Sequence, residues 1–321
     1  MKNMKLIMES WRGFVSEQEE DETATGNIAS SVSQAYKAGP GAVRAFMDSP
    51  EGKDPKVRQF LHRAAEEYDG DASDDVISIS RVNAPLNSLV PTQKYIDLMQ
   101  SVSFPLGSAD TLKKAISSKK GHGPISISDN YILDGHHRWS GQFAITPDGT
   151  ILGTNIALPG PANNRLAALQ LAIAAIDPGL SDEHPSKGGG AKTNILGLDD
   201  NAIYEKILAN RNVQTDKKAP GALLNDKMIA QIVKTQDPVI FGWAGIPDGT
   251  SDSEQVVQAI AKRVAANLAE LPMFAEGSPD RPDMPQLDHD SIGGDKGYKK
   301  IKSRLATGRL NVVPPFAKAA E

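Results

Sequence analysis

The chain has no cysteine among its 321 residues. Disulfides, cysteine-ligated zinc and a cysteine nucleophile are therefore excluded, and the composition fits a reducing interior. Positive charge is not in excess either. Lys and Arg number 35 against 40 Asp and Glu, for a formal net charge of −5 and a pI of about 5.7. That balance does not indicate a generic basic surface for nucleic acid. No apolar run approaches the roughly 20 residues that a membrane-crossing helix needs, so no membrane partner is expected. No internal repeat at a fixed period is visible. What remains is a chain long enough to bury a sizeable core, as two domains or one elaborated domain.

The most informative stretch is Asp134-Gly135-His136-His137-Arg138-Trp139. It falls where a short strand, Tyr131-Ile132-Leu133, hands over to a helix running through Ser140 and Phe143. A helix N-terminus presents backbone N–H groups and the positive end of the macrodipole, and so attracts anions. Two imidazoles and a guanidinium in that first turn, after an acid and a glycine, point to a phosphate site with a catalytic or metal-binding carboxylate. Gly135 allows a tight turn and close backbone approach to a ligand. Arg138 offers a bidentate fork for phosphate oxygens. A purely structural reading stands beside this one: aspartate is a common N-cap, and paired histidines near a helix start are often satisfied by ordinary hydrogen bonds.

The context adds weight to the functional reading. Val82-Asn83-Ala84-Pro85-Leu86 and Ser88-Leu89-Val90-Pro91-Thr92-Gln93 form an extended, proline-punctuated segment. A helix follows, with Asp110 as its expected N-cap, Leu112, Ala115 and Ile116 at helical spacing, and Gly121 as its expected stop. Pro124-Ile125-Ser126-Ile127-Ser128 alternates as a strand, and Asp129-Asn130 turns it into a hairpin with Tyr131-Ile132-Leu133. After the motif helix, Asp148-Gly149 makes a turn into a strand running from Thr150 towards Leu158.

This order resembles the ParB/sulfiredoxin fold family over about residues 76 to 160. Its members share an L-x-P segment, a helix ending in glycine, a P-I-x-V strand, a hairpin and a Gly-X-X-Arg helix start. The resemblance implies an α+β domain with a small mixed sheet, flanked here by helical regions. Sulfiredoxins place Gly-Gly-Cys-His-Arg at the turn. Gly135, His137 and Arg138 match that pattern, but His136 stands at the cysteine position, which excludes sulfinic-acid reduction by that route. ParB-type proteins carry Gly-Glu-Arg-Arg on CTP phosphates, and only Gly135 and Arg138 match. The closest likeness is the Asp-Gly-His-His-Arg branch, which includes free-serine kinases using ADP or ATP. In those, the acid and histidine matching Asp134 and His137 lie at the phosphoryl-transfer centre.

Phosphoryl transfer demands positioning and charge neutralisation more than covalent participation by the protein. Arg138, Gly135 and the backbone amides would hold phosphates. Asp134 would hold Mg²⁺ or accept a hydroxyl proton, and His136 and His137 would contact phosphate or act in acid–base chemistry. In this fold the segment bearing Thr92 and Gln93 lines the same pocket, so both are expected at the phosphates. The expected ligands are ATP or another nucleotide, Mg²⁺ and a small-molecule acceptor. Two other readings share the site. One is a ParB-like nuclease or DNA-associated protein, whose binding would fall steeply with salt. The other is a non-enzymatic protein packaged in a phage head.

The last reading draws on the N-terminus. Met1-Lys2-Asn3-Met4-Lys5-Leu6-Ile7-Met8-Glu9 is basic and apolar but too short for a secretory core. It resembles capsid-targeting leaders of tailed-phage head proteins, cut after Leu/Ile-x-Glu, which places processing at Glu9. The alternative is an amphipathic helix docking Leu6, Trp11, Phe14 and Val15. The expected location is the host cytoplasm or a phage head.

The expected division is a leader and acidic linker at 1–26, a helical region at 27–75, the ParB/sulfiredoxin-like domain at 76–160 and a mainly helical region at 161–321. In that last region, helices are predicted over Asn163–Ile176, Ala202–Asn210, Leu223–Val233 and Glu254–Leu271, the last with a Ser251-x-x-Glu254 capping box. Val239–Trp243 reads as a short strand or buried turn, with Trp243 in the core. Gly188-Gly189-Gly190-Ala191-Lys192-Thr193 fails the phosphate-loop template and reads as a loop. Asp288-His289-Asp290 reads as a polar linker rather than a metal site, and the basic run from Lys299 to Arg309 as a solvated face.

Overall fold

The structure is a computed structural model that describes residues 22–57, 59, 61, 79–121, 124–158, 161–176, 193–214, 218–280 and 284. The expected processing site at Glu9, the Asp288-His289-Asp290 stretch, the Lys299–Arg309 run and residues 188–192 of the glycine-rich loop lie outside these residues. The fold is α+β, and the chain divides into two compact units interleaved in sequence. The described residues of one fall within 1–79, 156–187 and 276–321, and those of the other within 80–155 and 188–275. Residues 80–155 of the segment likened to ParB/sulfiredoxin domains thus share a unit with described residues of the 188–275 stretch, while the ends of that segment fall in the other.

In the first unit, α1 (Glu22–Ala38) and α2 (Pro40–Asp48) follow one another closely. Apolar residues at helical spacing put Val32 and Tyr36 of α1, and Val43 and Met47 of α2, in the interior.

The second unit carries the sheet, built from β1 (Ile79–Pro85), β2 (Val90–Pro91), β3 (Ile125–Ser128), β4 (Tyr131–Asp134) and β5 (Thr150–Ile156). Their spatial order is β1-β5-β3-β4-β2. β3 and β4 form the predicted antiparallel hairpin, with Ile127 opposite Ile132 and an irregularity between Ser126 and Ile127. β2 runs parallel to β4, with Val90 opposite Tyr131, and β3 runs parallel to β5. All four residues of β3 are buried, because both of its neighbours are strands and helices cover the sheet.

Three further helices of this unit are α3 (Leu98–Val102), α4 (Ala109–Ser118) and α5 (His136–Phe143), the last of which carries the motif. The expected cap and stop of α4 are both displaced. Ser108, not Asp110, is the N-cap and accepts from the Thr111 amide, while Asp110 sits in the first turn. The helix ends on Lys119 in the left-handed region. Gly121 has a different use: a Cβ there would lie 2.7 Å from the Ile151 side chain, so the glycine admits β5. α3 and α5 pack so closely that a Cβ on Gly141 would stand 2.4 Å from the Ser101 carbonyl oxygen. The Ser101 and Ser140 hydroxyls hydrogen-bond at 2.7 Å in the same contact. Trp139 is fully buried, donates Nε1–H to the Leu86 carbonyl at 2.9 Å and meets Phe143 edge-on.

α6 (Ala162–Ile176) belongs to the first unit and packs on α1 and α2. α7 (Asp200–Ala209), α8 (Asp226–Thr235), α9 (Pro238–Ala244) and α10 (Ser253–Ala269) complete the second. The predicted stripe Val256, Val257, Ile260, Val264 and Leu268 of α10 is buried throughout. Its cap is Asp252, which accepts from the Glu254 and Gln255 amides, rather than Ser251. Val239–Trp243 is a helix, not a strand or turn. Asp237 caps it by accepting from the Val239 amide, and Pro238 sits at the first helical position, where its fixed φ and missing N–H fit. Trp243 is half-buried against the core and donates to the Ile145 carbonyl at 2.8 Å.

Candidate functional site

β4 passes into α5 through one residue. Gly135 is the N-cap, at φ +92°, and has no side chain with which to cap the helix. A Cβ there would lie 2.5 Å from Cγ2 of Ile125, so both the backbone angle and the neighbouring strand require glycine. The first intrahelical bond runs from the Trp139 amide to the Gly135 carbonyl. The amides of His136, His137 and Arg138 therefore lie ahead of that ladder, where a helix presents its positive end.

Around this turn Asp134, His137 and Arg138 are half-buried, whereas His136 is only 3 % exposed. Arg138 donates Nη1–H to the Pro124 carbonyl at 2.6 Å, and its Nη2 stands 3.7 Å from Oδ2 of Asp134. Ion pairs of this exposure are worth about 0.2–1 kcal/mol.

The two imidazoles are tied to backbone. His136 Nε2 accepts from the Thr92 amide at 3.1 Å, and His137 Nε2 accepts from the Asp97 amide at 3.1 Å. A ring nitrogen that accepts carries no proton, so each neutral ring has its proton on Nδ1, which is its donor. Thr92 and Gln93 reach this neighbourhood, but both are buried. The Thr92 hydroxyl donates to the Ile132 carbonyl, and the Gln93 side-chain amide donates to the Tyr95 carbonyl. These two bonds hold the β2–α3 segment in place.

Tyr95 and Asp97 join the neighbourhood without having been expected from the sequence. Asp97 is 4 % exposed and caps α3, with Oδ1 accepting from the Gln100 amide at 2.9 Å. The Tyr95 hydroxyl donates to its Oδ2 at 3.4 Å. Burial, and then the Asp97 carboxylate, push the Tyr95 phenol up to about 12. An aspartate just before an apolar helical run is the local signal that marks Asp97.

Among the described residues, no group of three or more His, Asp or Glu side chains gathers in a way that could hold a metal ion. Asp134 is a half-buried carboxylate paired with Arg138, and a Mg²⁺ arriving with a nucleotide would need only one or two protein carboxylates, since it keeps several waters and takes phosphate oxygens. None of the described helices is long and apolar enough to cross a membrane. No family model, curated protein or solved structure matches this chain.

Proposed function

We propose that the start of α5 binds the phosphates of a nucleotide, ATP or a relative, for phosphoryl transfer to a small acceptor or to water. The observation that carries this reading is that Arg138 faces Asp134 at the start of α5, in the same first turn as His137, at a helix N-terminus that has no side-chain cap. Arg138 and the first amides of α5 would hold the phosphate oxygens. The Nδ1–H of His137 would donate to charge developing on the transferred group, while buried His136 serves as a strut through Thr92. Mg²⁺, when bound with the nucleotide, neutralises phosphate charge, and Asp134 is the residue that would hold it. In the transfer, the bond from the terminal phosphorus to its bridging oxygen breaks and a bond to the acceptor oxygen forms. The acceptor proton passes to solvent or to a carboxylate oxygen of Asp134 not engaged with the metal.

Thermal melting with ATP, ADP, CTP and GTP, each with and without Mg²⁺, tests the reading on wild type and Arg138→Ala. A ligand at 100 times its Kd stabilises the native state by about 2.7 kcal/mol. At roughly 2–4 °C per kcal/mol for a mid-sized domain, the melting point should rise by about 5–11 °C. The expected result is a shift with one nucleotide that Arg138→Ala abolishes. Nucleotide turnover that survives both Asp134→Ala and Arg138→Ala would overturn the assignment. Melting shifts with oligonucleotides alone would favour a nuclease instead.

A further inference from the structure

We infer that Asn194 is a positioning residue for His137, acting through the backbone of Asp97. Its bearing on catalysis rests on the proposed nucleotide site, whereas the contact itself does not. Asn194 lies in the helical region, 98 positions from Ile96, and no local pattern marks it. Its side-chain oxygen accepts from the Ile96 amide at 2.9 Å and the Leu196 amide at 3.3 Å, and its Nδ2 donates to the Lys94 carbonyl at 3.0 Å. On either side, the Leu98 amide donates to the Thr193 carbonyl at 2.8 Å and the Ile195 amide donates to the Ile96 carbonyl at 3.0 Å. Asp97 and Asn194 form an antiparallel bridge.

The geometry follows from the alternation of an extended chain. Asp97 has φ −74° and ψ 127°, and successive amides of such a backbone point to opposite sides. The amides of Ile96 and Leu98 are both committed to the 193–196 segment. The Asp97 amide is thereby turned the other way, onto His137 Nε2 at 3.1 Å. That contact sets the His137 tautomer and aims its Nδ1–H. His136 is held by separate means. Its partner Thr92 follows directly on β2, which is paired to β4, and is fixed by its hydroxyl on the Ile132 carbonyl. Residues 193–196 therefore serve as a clamp on the His137 imidazole and leave that of His136 untouched.

The test uses the 321-residue chain labelled with ¹⁵N-histidine, comparing wild type with Asn194→Ala. Resonances are assigned from His136→Gln and His137→Gln. In wild type both rings should show the Nδ1–H tautomer. In Asn194→Ala the His137 nitrogens should shift towards the tautomer mixture of a free ring while those of His136 stay in place. Where the protein binds nucleotide, affinity should fall about tenfold, the equivalent of one hydrogen bond of about 1.4 kcal/mol. If Asn194→Ala does not fold, Asn194→Ser shortens the same side chain. Hydrogen exchange should then rise at the Asp97 amide by about tenfold relative to Thr92. An unchanged His137 signal, or equal movement of both histidines, overturns the proposal. A selective shift of His137 in a protein that binds no nucleotide upholds the clamp and refutes the phosphate reading alone.

Discussion

Three glycine-to-alanine substitutions separate what the start of α5 requires of its backbone from what it requires of space. At Gly135 the new methyl meets two penalties. A left-handed φ of +92° costs an L-residue about 1–2 kcal/mol. The Cβ would also stand 2.5 Å from Cγ2 and 2.9 Å from Cβ of Ile125. A buried β-branched residue within a strand cannot swing clear, so overpacking adds about 1–3 kcal/mol. The sum is about 2–5 kcal/mol. Gly245 has φ +68°, and an added methyl would meet nothing within 4 Å, so Gly245→Ala should show the backbone penalty alone, about 1–2 kcal/mol. Gly242, inside α9, has open space and no positive φ, so Gly242→Ala should stabilise by about 0.5–1 kcal/mol. Urea denaturation monitored by tryptophan fluorescence should order the midpoints Gly242→Ala, wild type, Gly245→Ala and Gly135→Ala, from highest to lowest. A Gly135→Ala protein as stable as Gly245→Ala would show that Ile125 does not confine the turn, and the steric account of the motif would fall.

Two further outcomes follow from single contacts. His136→Ala leaves the buried Thr92 amide without its acceptor and should destabilise by about 1–3 kcal/mol. A loss within about 0.5 kcal/mol, as at an ordinary surface site, would contradict the strut role. Asp237→Asn keeps the α9 cap but removes the ion pair with Lys113 at 2.6 Å. The Lys113 hydrogen bond, opposed by burial and aided by backbone amides, holds the Asp237 carboxyl below its ordinary value. A depressed folded pKa means the stabilisation is present above the unfolded value of about 3.9 and is lost as pH falls through the folded one. Melting curves should separate the two proteins at pH 7 and bring them together in strong acid. A pH-independent gap would rule out the pair as its source.

The hairpin and the motif turn are legible because their signals are local. Alternation over Ile125–Ser128, the Asp129-Asn130 turn and a glycine at the strand–helix junction each act within a few residues. Cap identity is less legible. Ser108 and Asp110, or Ser251 and Asp252, have similar capping chemistry, and a difference of one or two residues in helix start is decided by packing. Val239–Trp243 defeats a local reading because a short apolar run has no periodicity of its own, and Asp237-Pro238, which starts the helix, lies outside it.

The sequence alone determined the β3–β4 hairpin, the strand-to-helix turn at Gly135 and the apolar stripe of α10. Each depends on periods and conformational limits that a few neighbouring residues set. Only the tertiary structure decided that His136 and His137 rest on the amides of Thr92 and Asp97, that Thr92 and Gln93 turn their donors inward, and that Asn194 grips the segment between them. A hydrogen bond between residues 98 positions apart depends on where the whole chain brings two backbones together, and no pattern of nearby side chains encodes it.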